Sequence, residues 1–162
     1  FIKRYTKSKL KRKPHLKGKD MDITRKACDK FQMVPISIMN FVEGTRFTQE
    51  KHKRQKSPYA NLLRAKAGGV AFVLGAMGGQ IRNILDVTIF YPQSTKNFWS
   101  YLSGNIKEIK VRVKSLPVNE DLVGNYLNDQ NFRVRFQTWL NKLWTQKDQS
   151  IDEMIRSENS PL

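Results

Sequence analysis

Acidic residues, cysteine and histidine are scarce in this chain, and each scarcity removes a class of chemistry. Cys28 is the lone cysteine, so no disulfide forms within the chain. It falls in an apolar-periodic stretch, residues 23–31, and reads as a small buried hydrophobe in a reducing compartment. The two histidines, His15 and His52, sit among lysines and arginines with no cluster of acids or thiols beside them, which argues against a metal centre. No apolar run approaches the roughly 20 residues that cross a bilayer as a helix. The longest, residues 67–79, is short and glycine-rich. There is no internal repeat and no low-complexity tract. The chain opens on Phe1 rather than Met and reads as a fragment or processed piece, with an upstream portion expected.

What the chain has is positive charge. Its 162 residues suffice for one domain with a core, and 30 Lys+Arg against 14 Asp+Glu give a net charge of +16. Such an excess attracts polyanions: nucleic acid, an anionic membrane surface or phosphorylated substrates. Charge alone does not choose among them.

Residues 1–20 are basic and broken by Pro14 and Gly18. Asp20 or Asp22 is placed to cap a helix over residues 23–32. The near-continuous apolarity of residues 34–42 predicts a strand buried on both faces, as in a parallel sheet. Residues 47–58 read as a polar, basic loop. A buried small-residue helix is predicted over 65–77, closed by Gly78-Gly79. A second strand is predicted at 85–91, a short helix at 97–102 and a half-exposed strand at 106–113, with Ile109, Val111 and Val113 on one face and Lys110, Arg112 and Lys114 on the other. Residues 129–157 carry Phe132, Phe136, Trp139, Leu140, Leu143 and Trp144 at three- and four-residue spacing. They predict one long C-terminal helix whose aromatic stripe is a packing face. The alternation of helices and strands predicts an α/β fold, a mixed, largely parallel sheet flanked by helices, incomplete at its N-terminus.

The strongest local signal follows the first predicted strand: Glu43-Gly44-Thr45-Arg46. At the carboxyl edge of an open sheet, where ligands bind, a guanidinium grips phosphate in bidentate fashion and a carboxylate accepts hydrogen bonds from hydroxyls. The glycine supplies a flexible turn. The combination suits a ligand that is both phosphorylated and hydroxylated. Lys66, followed by Gly68-Gly69 at the start of a helix, can offer charge and backbone N–H groups to a phosphate. The run 51–56 is a solvated loop or, at a membrane, a contact for anionic headgroups.

These blocks, in order, resemble the glycerolipid acyltransferase family, which includes the 1-acylglycerol-3-phosphate acyltransferases. Phe1-Ile2-Lys3-Arg4 is similar to its second block and Phe41–Arg46 to its third. Residues 63–69 resemble its basic-then-glycine segment, and residues 86–92 its fourth block as found in a bacterial subgroup. The resemblance covers residues 1–156. Val42 stands where most members have proline, and the fourth block lacks an internal proline.

The resemblance implies that residues 1–162 are the C-terminal portion of a single acyltransferase domain. It moves a fatty acyl group from acyl-CoA or acyl-carrier protein to a lysophospholipid such as 1-acylglycerol-3-phosphate, with no prosthetic group. Arg46 and Lys66 would hold the acceptor phosphate with Arg4 assisting, Glu43 would orient the hydroxyls, and Gly44 and Thr45 would shape the turn. The acceptor oxygen attacks the thioester carbonyl, the thiolate leaves, and a histidine takes the hydroxyl proton while a carboxylate fixes its tautomer. The family's His-x4-Asp block is expected upstream of Phe1, so no catalytic residue is assigned here and the chain alone is expected to be inactive. His15 and Asp20 have the right spacing but follow the second block, and their order is wrong. The implied place is the cytoplasmic face of the inner membrane, with an anionic lipid surface as partner and no nucleic acid. The alternatives are a basic nucleic-acid-binding module, with Trp99, Trp139 and Trp144 stacking on bases, and a non-catalytic membrane-surface scaffold.

Overall fold

A computed structural model describes residues 37–77, 79–92 and 102–159, together with Lys26 and Trp99. The expectations placed on Arg4, His15, Asp20 and Cys28, and on the helix over 23–32, lie outside the described residues. Among the described residues the elements are α1 (Gln49–Gln55), α2 (Ala67–Met77), β1 (Asn83–Phe90), β2 (Lys110–Pro117), a 3-10 turn at Glu120–Leu122 and α3 (Gln130–Asn159). They belong to two compact units. The first takes the described residues up to Val42, with Lys66–Arg82 and Val118–Gln137; the second takes Glu43–Ala65, Asn83–Pro117 and Thr138–Leu162. The first turns of α3 thus serve one unit and the remainder the other.

In the first unit, α2 forms from small and apolar residues with no cap of opposite charge. Its one firmly buried stripe is Ala67, Ala71, Leu74 and Met77, at the spacing of a single helix face. Gly79, at φ +85°, follows it in the left-handed conformation that suits glycine. Leu122, Phe132 and Phe136 complete the core, with Phe136 only 1% exposed. The Phe132 and Phe136 rings lie 5.7 Å apart, and Tyr126 meets Phe136 edge-on at 6.1 Å. Two glycines allow this closeness. A Cβ on Gly75 would stand 2.7 Å from the Gly124 carbonyl oxygen, and one on Gly124 would stand 2.6 Å from the Phe132 ring. Asp129 accepts from the Phe132 N–H at 2.9 Å and so starts α3.

In the second unit β1 and β2 pair antiparallel, with Val87 opposite Val113 and Ile89 opposite Val111. This two-stranded sheet is the only one among the described residues, and it overturns the expected largely parallel α/β sheet. The misreading began at residues 34–42. Residues 37–41 are irregular, with Met39 83% and Phe41 78% exposed. An apolar run becomes a strand only where a partner edge accepts its N–H and C=O groups, and residues 37–41 have no such ladder. The predicted strand at 85–91 is present as β1. The one at 106–113 is shifted to Lys110–Pro117. The 47–58 loop contains a helix, α1, capped by Thr48, whose hydroxyl accepts from the Lys51 N–H at 3.2 Å.

The sheet also faces the opposite way from a half-buried strand. Leu85, Val87, Ile89, Val111 and Val113 are exposed, while Asp86, Thr88 and Arg112 turn inward. The reason lies on α3. Lys147 donates to Asp86 and Thr88; Arg112 donates to Ser150 and to Glu153, the latter at 3.0 Å; Lys110 pairs with Glu158. The polar faces of both strands therefore meet a polar helix face. The expected aromatic packing stripe is present: Phe132, Phe136, Leu140 and Trp144 are each buried. No helix among the described residues is long and apolar enough to cross a membrane.

Candidate functional site

The Glu43–Arg46 segment forms a turn ahead of α1. Gly44 sits at φ +69°, a conformation that costs an L-residue with a Cβ about 1–2 kcal/mol. Glycine is thus required by the backbone at the centre of the motif. Thr45 and Arg46 are exposed, and Glu43 is half-buried. The four residues are neighbours in one turn of the backbone.

Lys51, on α1, clasps the turn. Its ammonium donates to the Thr45 hydroxyl at 2.9 Å and to the Arg46 carbonyl oxygen at 3.0 Å. A second cation therefore stands beside Arg46. The signal for it was legible, since Thr48 followed by Glu50 is a helix start and places Lys51 in the first turn. Downstream, Lys56 closes α1 in the left-handed conformation, its N–H reaching the His52 and Lys53 carbonyls. His52 is held within the second unit, its Nε2 2.6 Å from the Tyr59 carbonyl oxygen.

Burial pushes the Glu43 carboxyl above the usual carboxylate range, opposed by the nearby Leu63 backbone and by the positive charge of Lys147. Leu63 is fully buried, and its carbonyl accepts from the Trp144 indole N–H at 3.1 Å. The segment leading to Leu63 is pinned along α3. The Ala60 and Asn61 N–H groups donate to the two oxygens of Asp148 at 2.7 and 2.8 Å, and the Asn61 side chain donates to Asp152 at 2.8 Å. Trp144, Asp148 and Asp152 follow one another at four-residue spacing, one face of the helix.

Lys147 is the most committed charge in the unit. Its ammonium, 8% exposed, donates to Asp86 at 2.5 Å, the Val87 carbonyl at 2.9 Å and the Thr88 hydroxyl at 3.0 Å, which uses all three of its protons. It acts on Glu43 through its field. Lys147, Asp148 and Trp144 were not singled out as supports from the sequence, because nothing local couples them to residue 43.

Lys66 is exposed and belongs to the first unit, where its N–H donates to the Val42 carbonyl at 3.0 Å. The backbone of Lys66 thus ties off the segment entering the motif. Arg4 lies outside the described residues. Trp144, buried and committed to Leu63, has no face for stacking on a base. Among the described residues no three His, Cys, Asp or Glu gather as metal ligands.

No family model matches this chain, and no curated protein or solved structure matches it either.

Proposed function

We propose that this chain is the acceptor-binding part of an acyltransferase that moves a fatty acyl group from acyl-CoA or acyl-carrier protein to a lysophospholipid hydroxyl. One observation carries the reading: a single turn pairs an exposed guanidinium, Arg46, with a half-buried carboxylate, Glu43, across a glycine whose φ is +69°. Arg46 meets the acceptor phosphate, with the neighbouring Lys51 ammonium adding charge. Glu43, half-buried, accepts from the hydroxyl next to that phosphate. The family resemblance implies a histidine as the base that takes the hydroxyl proton.

Association with an anionic membrane surface accords with the net charge of +16. The exposed aliphatic row of Leu85, Val87, Ile89, Val111 and Val113 on the two-stranded sheet fits the same surface.

The test is binding of the chain to neutral vesicles with and without 1-acylglycerol-3-phosphate, compared with single-stranded DNA across a salt series. Preference for the lysophospholipid vesicles, lost in Arg46→Ala, is expected. A steep salt slope on DNA without any phospholipid preference would replace this reading with the nucleic-acid one.

A further inference from the structure

The Lys51 ammonium is spent on neutral oxygens of the turn. It donates to the Thr45 hydroxyl at 2.9 Å and to the Arg46 carbonyl oxygen at 3.0 Å, which uses two of its three protons. Among the described residues the ion pairs take Asp86, Glu108, Glu153 and Glu158, and neither Lys51 nor Arg46 enters one. The helix that carries Lys51 is held at both ends. The Thr48 hydroxyl accepts from the Lys51 N–H at 3.2 Å, and Arg64 donates to the Gln55 and Lys56 carbonyls at 2.9 and 2.8 Å. The ammonium therefore reaches the turn from a fixed element.

This contact decides what Thr45 can do. An ammonium only donates, so the hydroxyl oxygen is the acceptor and its own proton points away from Lys51. Thr45 is exposed, which leaves that proton to a ligand. The hydroxyl and the ammonium are close enough for one phosphate group to touch both, and the Arg46 guanidinium belongs to the next residue.

We propose that Thr45 donates to the phosphate that Arg46 binds, and that Lys51 is the positioning residue that sets the Thr45 hydroxyl in this donor role. The proposal rests on the reading of the Glu43–Arg46 turn as an acceptor site and deepens it, giving Thr45 a contact beyond shaping the turn. A Lys51 that supplied charge alone would act independently of the Thr45 hydroxyl.

The experiment measures binding of inorganic phosphate and of 1-hexanoylglycerol-3-phosphate, below its micelle concentration, to the full chain by phosphorus NMR titration. Thr45→Val keeps the side-chain shape and removes the hydroxyl; loss of one hydrogen bond to a charged group corresponds to about a ten- to hundredfold weaker affinity. The loss is expected to be equal for the two probes, which share only the phosphate, and Thr45→Ser should restore most of it. In a Lys51→Met background Thr45→Val should cost about threefold or less, because the hydroxyl is no longer oriented. A further measurement uses the unaltered chain: the Lys51 ammonium nitrogen resonance, assigned by its loss in Lys51→Met, should shift on adding either probe.

Thr45→Val keeping wild-type affinity while Arg46→Ala loses it would overturn the proposal and leave the acceptor site standing. Losses that multiply in the double variant, a Thr45→Val loss confined to the lipid probe, or an unmoved Lys51 resonance would overturn it as well. A wild type that binds neither probe would remove the acceptor reading itself.

Discussion

Lys147→Met is the sharpest single perturbation of the second unit. The ammonium is 8% exposed and its partner Asp86 carboxylate 12%. Substitution keeps most of the side-chain volume but strands the Asp86 oxygen, the Thr88 hydroxyl and the Val87 carbonyl. Removing one member of a buried pair costs about 3–5 kcal/mol, because the other is left charged without compensation. With a urea m-value of about 1–3 kcal/mol/M for a domain of this size, the unfolding midpoint should fall by about 2 M. Trp144 fluorescence reads the transition directly, since the lost cation lies over its ring. The double variant Asp86→Leu/Lys147→Met is expected to recover most of the loss, as replacing a buried pair by packed apolar groups is near neutral or stabilising. The two variants thus separate the pair's geometry from its charge. A Lys147→Met unfolding free energy within about 1 kcal/mol of wild type, by this extrapolation, would show that the contact is not maintained in solution and would refute the assignment of α3 to the polar sheet face.

Other consequences are testable with the same equipment. Gly44→Ala should lose about 1–2 kcal/mol of stability, while Gly44→Asn, better tolerated at positive φ, should lose less; equal losses would place the turn in a different conformation. Gly75→Ala should destabilise the first unit by about 1–3 kcal/mol, since its Cβ meets a backbone carbonyl that cannot rotate away, and an unchanged melting curve would contradict the close approach of α2 to Gly124. Glu43→Gln tests the pH linkage. Because burial raises the Glu43 carboxyl, the folded state holds its proton more tightly than the unfolded state. Stability from this group is complete below the ordinary carboxylate pKa, about 4.3, and declines as pH rises to the raised value. Relative to wild type, Glu43→Gln should therefore gain stability from pH 4 to pH 7 in urea titrations; a change in the opposite direction would mean that pairing outweighs burial.

The fold was legible where a pattern is local. The 30-residue α3 follows from its apolar spacing, and α2 from its small-residue run. The parallel sheet was not, and two features explain the error. Burial of an apolar run was inferred from composition, whereas Met39 and Phe41 are exposed because no strand pairs with residues 37–41. In β2 the alternation was read correctly, and it left open which face is covered. Hydrophobicity alone would turn Val111 and Val113 inward. The acids Glu153 and Glu158 and the hydroxyl of Ser150, all on α3, instead draw Arg112 and Lys110 to the covered side. Alternation fixes which residues share a face, and only the partner element decides which face is covered.

The candidate site divides along the same line. Glu43, Gly44, Thr45 and Arg46 are adjacent, so a reversal at Gly44 brings them together whatever the rest of the chain does. Thr48 and Lys51, a few residues on, were within reach of capping rules. Control of Glu43 is of another kind. Burial and the charge of Lys147 act on it, and no residue-type argument near the motif singles out Lys147. The helix behind Leu63 lies about a hundred positions from the motif, and there Trp144 was readable as a packing aromatic while its N–H carried the specific contact. A sequence motif of this sort specifies which groups are presented. How readily its carboxylate ionises is set by burial and by Lys147, whose own spacing reports only helix.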